Sequence, residues 1–176
     1  MTQTGYALFD TAIGLCGVAW GPRGVTALQL PETDDATTET RVRGTAPQSP
    51  PPADVRSAIE RVAALLRGEP DDLADIVVDP SGLPEFHLRV YEVTRAIRPG
   101  QTRTYGEVAR LLDAPGAAQA VGQALGRNPY PIIVPCHRVL GGDGRIGGFS
   151  AGGGAVTKSR ILGIEGAAPN GQPALF

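Results

Sequence analysis

Residues 102–139 read TRTYGEVARLLDAPGAAQAVGQALGRNPYPIIVPCHRV, and the fold turns on this stretch. Thr104-Tyr105-Gly106-Glu107 opens a short helix through Leu112, Asp113-Ala114-Pro115-Gly116 makes a turn, and a second helix runs from about Ala117 to Leu125. Two short helices joined by a turn containing Gly and Pro fit a helix-turn-helix, although any helical hairpin has the same pattern. Ala117, Ala118, Ala120, Gly122 and Ala124 leave little bulk on the second helix, which suits close approach to a partner and close packing in a core equally well. Asn128-Pro129-Tyr130-Pro131 then leads into the apolar run Ile132-Ile133-Val134, expected to be a buried strand that ends at Pro135-Cys136-His137-Arg138-Val139. A cysteine beside a histidine is a candidate activated nucleophile, because the thiolate is the reactive form and a neighbouring base generates it near neutral pH. The plain alternative is an inert core cysteine.

Working outward, Leu83 to Ile97 reads as a helix with Pro84 near its first turn, stopped by Pro99-Gly100. Further upstream, Tyr6–Phe9, Leu15–Trp20 and Val25–Leu30 read as short strands of a small antiparallel sheet, punctuated by Gly14 and Gly21-Pro22-Arg23-Gly24. Residues 31–54 read as a loop with room for one short helix. Ala53 to Arg67 has helical spacing, and Ile76-Val77-Val78 reads as one more strand. The expected architecture is an α/β N-terminal domain with a small antiparallel sheet (residues 1–80), a mostly helical domain containing a helix-turn-helix (81–168) and a short tail (169–176).

The 176 residues are 41% hydrophobic, enough for a core and too apolar for a disordered chain. No stretch approaches the ~20 continuous apolar residues that span a bilayer, and MTQTGYALFD lacks the pattern of a signal peptide. A cytoplasmic protein without membrane association is expected. Cys16 and Cys136 are too few and too far apart for a disulfide scaffold. With no CxxC or HxxxH pair, a zinc site built from Cys16, His87, Cys136 and His137 is not expected. The charge is unevenly divided: residues 1–83 carry −6 and residues 84–176 carry +4. A basic second half suits a polyanionic partner, although no Lys/Arg-rich tract separates this from ordinary surface variation.

Residues 84–166 resemble the O6-alkylguanine-DNA alkyltransferases, also called methylated-DNA-protein-cysteine methyltransferases. The likeness rests on Thr102-Arg103-Thr104-Tyr105-Gly106-Glu107-Val108-Ala109, Ala120-Val121-Gly122, Asn128-Pro129, the Pro135-Cys136-His137-Arg138-Val139 signature and the closing Lys158 to Glu165-Gly166, in the family's order and at closely similar spacing. The N-terminal likeness is looser. The resemblance implies a single-turnover repair enzyme, acting as a monomer without cofactor on double-stranded DNA with alkylated bases. Cys136 would take the alkyl group from O6 of an extruded guanine, with O4-alkylthymine a poorer substrate. It further implies His137 as a base acting through water, Glu165 orienting the imidazole, Asn128 fixing the turn around the cysteine and Tyr105 donating to the base at N3. Ser150 would face O6 through its N–H, the Cys136 and Val139 carbonyls would accept from the exocyclic amine, and Phe149 and Leu125 would wall the pocket. Thr104, Ala117, Ala118, Gln119, Ala120 and Gly122 would face DNA in the minor groove, with Arg103, Arg110 and Arg127 as phosphate contacts.

Two departures accompany the likeness. Gln119 stands where the family usually has the arginine that replaces the flipped nucleotide, and the segment between Phe149 and Lys158 carries about two extra residues. Arg138 is expected in an internal ion pair rather than on DNA. A non-catalytic, alkyltransferase-like lesion binder is the rival reading, but that group replaces the cysteine present here as Cys136. A thiol hydrolase is the remote third, disfavoured because no separate, distant histidine partner is present.

Overall fold

A computed structural model describes residues 3–142 and 154–167. Strands β1 (Gly5–Thr11), β2 (Gly14–Gly21) and β3 (Gly24–Gln29) form an antiparallel meander in the order β1-β2-β3. Alternation puts Cys16, Val18 and Trp20 of β2 into the main core, while Tyr6 and Ala19 meet Val42 on the other face. That second face is covered by α1 (Asp35–Arg43), the short helix for which the 31–54 segment has room. Asp34 caps it by accepting from the Thr37 N–H at 2.7 Å. The main-core face is covered in part by α2 (Ala53–Leu66), which buries Val55, Ala58, Val62, Leu65 and Leu66 along one stripe.

The expected strand at Ile76–Val78 is absent. In its place the chain makes one parallel bridge, Val25 to Val78, with the Val25 N–H donating to the Val77 carbonyl and the Asp79 N–H to the Val25 carbonyl. Leu73 at a φ of 52° on one side and Pro80 on the other leave no length for a ladder. The contact still covers part of the outer edge of β3, and the Leu28 N–H covers more of it by donating to the Pro129 carbonyl at 2.9 Å.

The second half is helical: α3 (Glu85–Arg95) begins after Pro84, α4 (Tyr105–Leu111) and α5 (Ala118–Gly126) flank the expected turn, and α6 (Ala155–Ile164) comes last in the chain. Thr104 and Glu107 form a reciprocal capping box at the start of α4. Asp113 adopts a φ of 54° and Gly116 one of 90°, so the α4–α5 turn uses two left-handed residues. A two-residue parallel pair, β4 (Arg103–Thr104) with β5 (Val139–Leu140), ties the start of α4 to the chain just after the cysteine. One apolar cluster runs through both halves, from Cys16 and Val18 to Val139 and Ile161.

The Ile132-Ile133-Val134 run is not a strand either. Ile132 has a φ of 76°, Val134 bridges back to Pro131, and the Val134 N–H donates to the Tyr130 carbonyl at 2.9 Å. Pro129, Pro131 and Pro135 remove the donors a ladder needs, so the burial that imitates a strand belongs to a tight internal loop.

Gly17 gives a test of the α1 contact. A Cβ there would lie 2.6 Å from Val42 Cγ1 and 2.8 Å from Val42 Cβ. Gly17→Ala is expected to lower unfolding free energy by about 1–3 kcal/mol, and Val42→Ala in the same chain to restore part of it, read by urea denaturation.

Candidate active site

Cys136 opens a single 3-10 turn, Cys136–Arg138, and is 6% exposed. Three bonds shape the approach to it. The Asn128 Nδ2 donates to the Val134 carbonyl at 2.9 Å, the Tyr130 N–H donates to Asn128 Oδ1 at 3.0 Å, and the Cys136 N–H donates to the same Val134 carbonyl at 2.8 Å. Asn128 itself follows the C-terminus of α5, its N–H bonded to the Leu125 carbonyl. A buried amide thus links the small-residue helix to the cysteine turn.

The two residues after the cysteine reach the end of α6. His137 Nε2 lies 2.9 Å from Glu165 Oε1, and Arg138 engages both carboxylate oxygens, Nε to Oε1 at 2.9 Å and Nη2 to Oε2 at 2.6 Å. Arg138 Nη1 also donates to the Ile97 carbonyl at 2.7 Å. Every one of these side chains is at most 1% exposed. Burial works to raise the Glu165 carboxyl, but the field of His137 and the hydrogen bonds from Arg138 and His137 outweigh it and hold the pKa at about 2. Burial pushes the His137 imidazole down from its ordinary value, against the pull of Glu165 and with the push of Arg138 and Lys158. A neutral imidazole whose Nε2–H donates a hydrogen bond to the carboxylate leaves Nδ1 as a bare acceptor, and Nδ1 is buried with no hydrogen-bond partner among the described residues.

Burial also pushes the Cys136 thiol up, opposed by the Asn128 amide, the Lys158 ammonium and the backbone N–H groups of Cys136 and His137. Lys158 is the residue that sequence reasoning passed over as a functional group. It is 1% exposed, donates to the Val139 carbonyl at 2.7 Å and stands 5.8 Å from the centroid of the Tyr105 ring. Its only advance signal is a place in the closing Lys158–Gly166 block. Burial lowers its pKa, while Cys136 pulls it up. Tyr105 is half-buried, and burial raises its hydroxyl pKa, so the group stays protonated as a donor.

The remaining candidates fall in two groups. Thr104, Tyr105, Gly106, Glu107, Arg110, Ala118, Gln119 and Gly142 line one cavity of about 530 Å³. Gln119 is exposed at its edge, and a Cβ on Gly122 would sit 3.9 Å from the Tyr105 ring. Ala117 packs partly against the core, Ala120 is half-buried, and Leu125 and Val139 are buried. The Val139 carbonyl already accepts from Lys158, and that of Cys136 from the Val139 N–H. Arg103, paired with Glu107 at 3.4 Å, and Arg110 and Arg127 are exposed. Arg138 is in the internal ion pair, away from solvent. Phe149 and Ser150 lie outside the described residues.

Comparison with known proteins places this geometry. Residues 85–167 match the family described as 6-O-methylguanine DNA methyltransferase, DNA binding domain. The methylated-DNA–protein-cysteine methyltransferase of Methanothermobacter thermautotrophicus is 37% identical over 156 residues, 89% of this chain and 82% of that protein. The protein of the same name from Mycolicibacterium paratuberculosis is 39% identical over 160 residues, 91% of each. Among solved structures, Mycobacterium tuberculosis OGT in complex with DNA superposes with a TM-score of 0.75 at 36% identity, covering 94% of this chain and 95% of that one. The O6-methylguanine-DNA methyltransferase of Pyrococcus kodakaraensis gives 0.71 at 29% identity, covering 94% and 100%. On a cysteine turn braced by a buried His–Glu–Arg cluster and on relatives that match nearly its whole length, the chain belongs to the O6-methylguanine-DNA methyltransferase family.

Proposed function

We propose that this protein repairs DNA directly, moving the alkyl group from O6 of a flipped guanine onto Cys136 and being consumed by the reaction. The observation that carries the reading is the Cys136 turn itself, with its sulfur beside Lys158 and Asn128 and its neighbour His137 poised as a neutral base on Glu165. Sulfur attacks the alkyl carbon in line, the carbon–O6 bond breaks, and a thioether forms. The thiol proton passes to His137 Nδ1 through water, a hydrogen bond from the Tyr105 hydroxyl at N3 stabilises the electron pair left on guanine, and the imidazolium proton then returns through water to neutralise the repaired base. Glu165 stays ionised throughout, because the bidentate Arg138 holds it, and so receives the imidazolium as it forms.

Reaching the base requires extrusion from the duplex, which costs a few kcal/mol and is offset by protein contacts. The small residues Ala117, Ala118, Ala120 and Gly122 let α5 approach a minor groove, and Arg103, Arg110 and Arg127 supply phosphate contacts. Gln119, at the edge of the 530 Å³ cavity, fills the vacated stack and bonds the orphaned partner base through its amide. It does so without the charge and flat face of a guanidinium.

Three outcomes are expected. Incubation with duplex DNA carrying one O6-methylguanine adds a single methyl to Cys136, read by intact and peptide mass, with repair equal to the protein supplied. Lesion binding without a mass change would point to a non-catalytic binder instead. Gln119→Arg accelerates transfer on duplex DNA by about fivefold and leaves the reaction with free O6-benzylguanine unchanged. Glu165 and His137 both have pKa values held below their ordinary 4.5 and 6.5, so the unfolded chain binds more protons in acid. Stability from His137 is present above about pH 6.5 and that from Glu165 above about 4.5, and each is lost as pH falls. Glu165→Gln lowers stability at pH 7 by about 3 kcal/mol and flattens the acid limb of a urea-denaturation pH series below pH 4.5.

A further inference from the structure

Tyr130 sits between the asparagine and the cysteine turn, and no step above uses it. Its backbone N–H donates to Asn128 Oδ1 at 3.0 Å, and its carbonyl accepts from the Val134 N–H at 2.9 Å. Its side chain points the other way, 1% exposed, with the hydroxyl donating to the Asp79 carbonyl at 2.6 Å. Resting on the alkyltransferase reading, we propose that Tyr130 is a positioning residue: by tying the Asn128 amide to the Asp79 carbonyl, it fixes the loop that sets the place of Cys136.

The geometry carries this in two steps. The Val134 carbonyl takes both the Asn128 Nδ2 and the Cys136 N–H, so a displaced Asn128 displaces the cysteine. Within the loop Tyr130 is bonded only through its backbone, among the described residues, to Asn128 Oδ1 and the Val134 N–H, and these bonds tie the loop to itself and to nothing outside it. The anchor comes from the sheet: the Asp79 N–H is bonded to the Val25 carbonyl of β3, and Asp79 Oδ1 accepts from the Ser81 N–H. The Leu28–Pro129 bond makes a second tie from β3 to the same loop. Tyr91 meets the Tyr130 ring edge-on at 6.5 Å and donates its own hydroxyl to the Ala124 carbonyl of α5. Burial pushes the Tyr130 hydroxyl up to about 12, so it remains a donor across the working range. In-line displacement tolerates little misplacement, and a 1 Å error costs about 10²-fold in rate.

The test is Tyr130→Phe in the full chain, which removes one oxygen. At saturating O6-methylguanine duplex, transfer is expected to slow by about three- to tenfold while the DNA dissociation constant stays within about twofold. The pH at which Cys136 becomes reactive toward iodoacetamide is expected to rise by about half a unit, since a loosened Asn128 amide opposes burial less. His137, Lys158, Tyr105 and Tyr91, the titratable groups around the thiol among the described residues, are the same in both proteins. Asp79→Gly, which removes the Oδ1 acceptor of the Ser81 N–H and loosens the backbone that presents the carbonyl, should act in the same direction and be less than additive with Tyr130→Phe. It carries the test if Tyr130→Phe does not fold. A fall in melting temperature with transfer rate and iodoacetamide profile unchanged in the folded variant would overturn the proposal, as would a change confined to DNA affinity. Because the iodoacetamide profile needs no DNA, it still judges Tyr130 if the wild-type protein accepts no methyl group.

Discussion

The buried cluster of Glu165, Arg138 and His137 is the constraint around which the second half is arranged. An arginine and a carboxylate in the interior are tolerable only if nearly all their hydrogen-bonding groups are satisfied. Here the carboxylate receives three bonds, and the guanidinium spends its remaining arm on the Ile97 carbonyl at the end of α3. One side-chain network therefore joins three places far apart in sequence: the end of α3, the cysteine turn and the end of α6. The close fit extends to Gly100, where a Cβ would lie 3.2 Å from the Glu165 carbonyl. The proposed chemistry and the fold share these atoms, so neither can change alone.

Electrostatics around the sulfur follow from the same burial. Desolvation favours the neutral thiol and imidazole and lowers the pKa of the lysine, while the carboxylate remains charged because the Arg138 guanidinium faces it. The proposed base and its carboxylate are thus kept in different charge states by their surroundings. Lys158 adds a positive neighbour that favours the thiolate at the moment it forms.

Much of this was legible in the chain. Short alternating strands with glycine turns, the α2 stripe and the Thr104–Glu107 cap are local signals, and local signals read well. The Pro135–Val139 signature and the tail carrying Glu165 marked the cysteine and its distant partner, although their contact is a matter of tertiary packing. Ile76–Val78 and Ile132–Val134 misled because apolar β-branched runs look the same in a strand and in a buried loop, and the surrounding prolines decide between them. Lys158 lay hidden because a lysine on a helix is ordinarily solvated. The β4–β5 pair was invisible because two residues carry no period. Tyr130 gave no sign at all, since its anchor on Asp79 is a backbone oxygen fifty-one residues away.

A protein that spends itself in one reaction must also survive the wait. Oxidants and soluble electrophiles attack the thiolate, and a cysteine kept as a buried thiol offers them very little of it. The closed setting of Cys136 therefore acts as a preservative. On the proposed reaction it lengthens the life of an unspent molecule, and it leaves activation to the neighbouring imidazole.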